Sequence, residues 1–169
     1  MRLVEGTATI GDLDAFLGEL TEVGEETGCT VQALDARYVV DRTQLERALE
    51  LADRAIDRGE NVARDRGVEV MLYAAGRRQI DRALTLGVSE GERSVVVLVA
   101  SEEGTGGHGD EAAAASAVRE LVAPADTLGD YDESLVRAYF GVDDAELAAT
   151  AGTLPDVIHE RVALLDVRK

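Results

Sequence analysis

Lysine is almost missing from this chain: Lys169 is the only one, so every other positive charge is an arginine. Asp and Glu number 34 against 17 basic residues, giving a formal net charge of -17. An acidic surface almost free of lysine is the usual look of a protein that stays soluble in molar salt, and the composition is read as a halophile's solvent shell. A basic surplus, the usual footprint of a nucleic-acid binder, is absent from the total. Tryptophan is absent and aromatics make up 4% of residues, while 46% are hydrophobic, so the core must be built from Ala, Val, Leu and Ile. Cys29 stands alone, which excludes an intramolecular disulfide and any CxxC zinc or redox pair and leaves a structural thiol as the default. The longest apolar stretch, residues 95–100, is far too short to span a bilayer, and the opening MRLVEGTATIGDLD lacks the apolar run of a signal peptide. A cytoplasmic protein is expected.

What is present reads as a single α/β domain over residues 1–169, with a central mixed sheet flanked by helices and a helical C-terminal part. Residues 2–10 predict a strand. GDLDAFLGELTEVGEETG then places Phe16, Leu17, Leu20 and Val23 at helical spacing before Gly28. Residues 30–40 look extended. Asp41 with Gln44 resembles a capping box, and Leu45, Ala48, Leu49, Ala52, Ala55 and Ile56 follow at helical period up to Gly59. GENVARDRG is expected to continue as a short helical piece, and VEVMLYAA, apolar throughout, as a buried central strand ending at Gly76. RRQIDRALTLG predicts a second amphipathic helix with Ile80, Ala83 and Leu84 inward, and SVVVLVA a strand. Strand, helix and strand at this spacing imply a crossover with the two strands parallel or separated by one neighbour. Beyond residue 100, SEEGTGGHGDE reads as a flexible loop, EAAAASAVRELV as a helix, and residues 132–150 as two short helices split near Gly141. The tail predicts a last helix capped by Thr153 with Ile158, Val162 and Leu165 on one face, although VALLDV alone also fits a strand.

Charge is distributed unevenly. Between Arg37 and Arg82 the balance is +1, whereas the rest of the chain carries -18. Asp-Arg and Glu-Arg pairs lacing helix faces account for many of these arginines. Within the segment, Ala75, Gly76, Arg77 and Arg78 fall where a strand is expected to turn into a helix, so free N–H groups and the positive end of a helix dipole would welcome a phosphate there. Arg77 and Arg78 add forked donors and planar faces for stacking bases, and Arg64 and Arg66 are second contributors. A plain structural turn is the other reading. EEGTGGHGDE lacks the Lys-Ser/Thr ending of a phosphate-binding loop and is expected to be a surface loop. His108 and His159 have no partner histidine at metal-ligand spacing, so no metal is expected, and no GxSxG-like context supports a nucleophile. No catalytic residue or cofactor is expected.

The stretch 34–100, with DARYVVDRTQLERALELADRA, GVEVMLYAAGRRQIDRALTLGV and VVVLVA, resembles the TPRKB family, the PRPK-binding subunit of the KEOPS complex; the phrase LYAAGRRQI carries the likeness most specifically. The likeness is that of a haloarchaeal-type member and weakens after residue 101. It implies an α/β fold without activity of its own, binding to the atypical kinase or ATPase subunit of KEOPS, and capture of tRNA by its single-stranded 3′ CCA end. The complex then installs threonylcarbamoyl on the adenosine beside the anticodon. Gly76, Arg77, Arg78, Gln79 and Ile80 match the motif, with Arg77 and Arg78 as phosphate or base contacts. Ile158, Val162 and Leu165 are the candidate kinase contact, or else core of this protein's own fold. The competing class is a small ligand-binding or enzymatic α/β domain with an anion pocket at the Gly76 turn.

Overall fold

A computed structural model of the protein describes residues 1–102 and 108–167. The chain divides into two compact units, Met1–Ala36 with Gly87–Thr127, and Arg37–Leu86 with the segment from Leu128 onward.

In the first unit, alternating burial marks β1 (Arg2–Ile10), whose Val4, Ala8 and Ile10 point into a core. Asp12 caps α1 (Leu13–Thr27) by accepting the Ala15 N–H, and Gly28 closes it in the left-handed region. β2 (Cys29–Asp35) follows. β3 (Gly91–Ser101) carries the apolar run, with Val95 to Val99 each fully buried, as befits a central strand. The sheet order is β2-β3-β1-β4, where β4 is the two-residue Ala123–Pro124. Every pairing is antiparallel, with Leu3 opposite Leu98 and Ala33 opposite Val97. At Gly6 a Cβ would come within 2.5 Å of the Ala123 carbonyl, so the close approach of β4 requires glycine there. α1 and α5 (Glu111–Arg119) pack on the sheet and on each other.

The second unit is helical. A 3₁₀ turn (Ala36–Tyr38) leads into α2 (Arg42–Asp57), capped by Asp41 through the Gln44 N–H. α3 (Arg66–Ala75) packs along α2 and α8 (Leu154–Val167). α4 (Ile80–Ala83) is one turn, extended by a 3₁₀ turn (Leu84–Leu86). α6 (Glu133–Phe140) and α7 (Asp144–Ala149) complete the unit, and Val40, Val136, Phe140, Val142, Leu154, Val157 and Ile158 form a core cluster.

The α/β class, the strands at 2–10 and 94–100, and the helices after Asp41 and Thr153 are as the sequence predicts. Three local expectations are corrected. VEVMLYAA is helix α3, not a strand: Val70 to Ala75 are all buried, so no polar face survives to reveal the helical period. Asp65 caps its start and Gly76 its end. With that strand gone, the parallel crossover goes too, and the sheet is antiparallel. Residues 59–65 of GENVARDRG are not helical: the buried Glu69 carboxylate accepts the Val62 and Ala63 N–H groups at 3.1 and 2.8 Å and ties them down as a loop that leads into α3. RRQIDRALTLG forms only the short turns at 80–86, burying Ala83 and Leu86 while Ile80 and Leu84 remain exposed. The extended reading of 30–40 holds to Asp35 and then gives way to the 3₁₀ turn. Residues 103–107 of the SEEGTGGHGDE loop lie outside the described residues.

Candidate functional site

The motif around Gly76 begins where α3 stops. Gly76 sits at φ 60°, its N–H reaches the Tyr73 carbonyl and the Arg77 N–H reaches the Leu72 carbonyl, both at 3.0 Å, a Schellman closure. This corrects the dipole argument drawn from the sequence. The residues follow the carbonyl end of a helix rather than opening one, so the positive dipole end and free N–H groups are not what this turn offers.

Side chains define the site instead. The Arg77 guanidinium lies 4.9 Å from the centre of the Tyr139 ring and donates to the Tyr139 carbonyl oxygen at the end of α6. The Tyr139 hydroxyl donates to the Arg82 carbonyl at 2.8 Å. Burial pushes the Tyr139 phenol above the ordinary tyrosine range, with the neighbouring Arg77 charge drawing it part of the way back. Tyr139 also meets Tyr38 and Phe140 edge-on, with ring centres 5.7 and 5.1 Å apart. Arg78, Gln79 and Ile80, between these anchor points, are exposed.

The other sequence-predicted residues part company. Arg64 is exposed on the loop that Glu69 holds. Arg66 forms a two-pronged pair with Asp53, at 2.7 and 2.9 Å, joining α3 to α2. Its guanidinium is therefore already engaged in the fold. Ile158, Val162 and Leu165 are buried at 0%, 0% and 7% exposure. Of the two readings of that stripe, own-fold core or kinase contact, core is the one the burial favours, since α8 packs on α2 and α3. The outer side of α8 shows Glu160, Ala163 and Val167 instead.

Beside Arg77 and Arg78 a cleft lined by Val62, Glu69, Leu72, Tyr73 and Leu165 has a volume of about 10 Å³. That admits a water and nothing larger. Sequence reasoning missed Tyr139 as a member of the site; with only four tyrosines and two phenylalanines in the chain, its place in an otherwise ring-poor sequence was the available signal. It also missed Gln44 as more than a cap. That residue is fully buried, accepting the Val40 N–H and donating to the Ala74 carbonyl, and so fixes the end of α3 from which the motif departs.

No helix among the described residues is long and apolar enough to cross a membrane. Comparison with curated proteins finds no match. The model of one family, the kinase binding protein CGI-121, matches residues 14–166, which leave out β1 and include the whole of the Gly76 motif. The chain therefore belongs to the kinase binding protein CGI-121 family, the TPRKB family that its LYAAGRRQI motif resembles.

Proposed function

We propose that this protein is a non-catalytic regulatory subunit of the KEOPS complex, binding the kinase or ATPase subunit and recruiting tRNA through its 3′ CCA end for threonylcarbamoyladenosine modification next to the anticodon. The observation that carries the reading is the match to a kinase-binding family over 14–166. The tRNA half is supported by exposed Arg78, Gln79 and Ile80 and by exposed Arg64, in a part of the chain spared the acidity of the rest. Gly76 supplies the turn that presents them, Arg77 acts mainly by holding that turn, and Arg66 by holding α3 to α2. In molar salt, counterion release contributes little, so recognition must come from arginine forks, stacking and backbone donors on unpaired bases. For the kinase, the proposed surface is the outer side of α8, where Val167 is 78% exposed and Ala163 lies one turn away.

Two experiments test this. The purified chain in molar potassium chloride is offered full-length tRNA and the same tRNA lacking CCA; binding that disappears with the CCA supports the reading, and equal binding moves the contact to the tRNA body. Separately, Val167→Asp should leave the fold intact and abolish co-purification of the kinase, whereas Val162→Asp should unfold the chain. A Val167→Asp protein that retains the kinase removes α8 from the interface.

A further inference from the structure

One residue, Tyr139, meets both ends of the segment 77–82, through its ring and backbone carbonyl at one end and its hydroxyl at the other. At its start the Arg77 guanidinium stacks 4.9 Å over the Tyr139 ring and donates to the Tyr139 carbonyl. At its end the Tyr139 hydroxyl donates to the Arg82 carbonyl at 2.8 Å. The ring is itself wedged between Tyr38 and Phe140, so its position is set by α6 and by the turn after Asp35, not by the segment it grips. α4 is a single turn of four residues, and Gln79 makes no side-chain cap for it. A helix this short does not hold itself in water.

We infer that Tyr139 is a positioning residue for RNA binding, the brace that presents Arg78, Gln79 and Ile80 as a preformed bow; this rests on the reading that the segment contacts the unpaired end of tRNA. A braced bow meets its ligand already ordered. An unbraced one must lose that conformational freedom on binding, and the loss appears as weaker affinity. The hydroxyl contributes one hydrogen bond, whose net worth corresponds to about threefold to tenfold in affinity.

The test uses the full chain in molar potassium chloride with intact tRNA and tRNA lacking CCA, comparing wild type, Arg78→Ala, Tyr139→Phe and Tyr139→Leu. Tyr139→Phe keeps the ring beneath Arg77 and should bind intact tRNA about threefold to tenfold more weakly. Its amide exchange should quicken at residues 77–83 alone, with kinase co-purification unchanged; Tyr139→Leu should lose more. If Arg78→Ala weakens binding while both Tyr139 variants bind as wild type does, the brace is overturned and the tRNA site stands. If wild type does not distinguish the two RNAs and Arg78→Ala has no effect, the tRNA reading falls and the brace with it. Should Tyr139→Leu fail to fold, Tyr139→Phe decides alone: a binding loss with quickened exchange spread over the whole chain also overturns the inference, because the residue is then merely structural.

Discussion

Gln44 concentrates more consequence than any exposed arginine. Its amide spans from the Val40 N–H at 2.8 Å to the Ala74 carbonyl at 2.9 Å, with no solvent access. Gln44→Leu keeps the volume and leaves one donor and one acceptor buried without a partner, a cost of about 2–5 kcal/mol. Denaturant unfolding in molar salt should show it as a lower midpoint with unchanged slope. Gly76→Ala belongs to the same scale. Its φ of 60° costs an L-residue about 1–2 kcal/mol, and the new Cβ would stand 3.4 Å from the Arg161 carbonyl. A melting-temperature drop of several degrees is expected, and a variant as stable as wild type would refute the strain argument.

Among elements, α8 shows how a start signal and a pH response come from the same atoms. Hydrogen bonds from the Thr153 N–H and hydroxyl to the Asp156 carboxylate hold that carboxyl below its usual range, with His159 adding to the effect. A lowered folded-state value means the contribution is present above the ordinary aspartate range and is lost as pH falls through the lowered value. Wild type should therefore melt higher than Asp156→Asn at neutral pH, and the gap should close as the solution is made strongly acidic. A gap independent of pH would contradict this. The helix was legible in the sequence because Thr153, Pro155 and the 158, 162, 165 stripe follow the rules of an amphipathic helix. α3 was not, since burial on all sides erases the periodicity that distinguishes helix from strand, and the misreading carried the parallel crossover with it. At the site, Arg77 and Gly76 were visible as a motif, but the identity of the end of a helix, and the brace from Tyr139 some sixty residues later, depend on packing that spacing does not encode.

For the molecule as a whole, a net charge of -17 implies self-repulsion that ions relieve. The melting temperature should climb by several degrees or more between low salt and molar potassium chloride, measured at one pH and protein concentration; a flat profile would dismiss the halophilic reading. The order of pairing also bears on how the chain is made. β1 must wait for β3, so residues 2–10 have no partner strand until Ser101 has emerged from the ribosome. At typical elongation rates the delay is on the order of ten seconds. Through that interval the nascent strand offers both of its hydrogen-bonding edges to anything nearby, and the helical insertion between β2 and β3 is translated first.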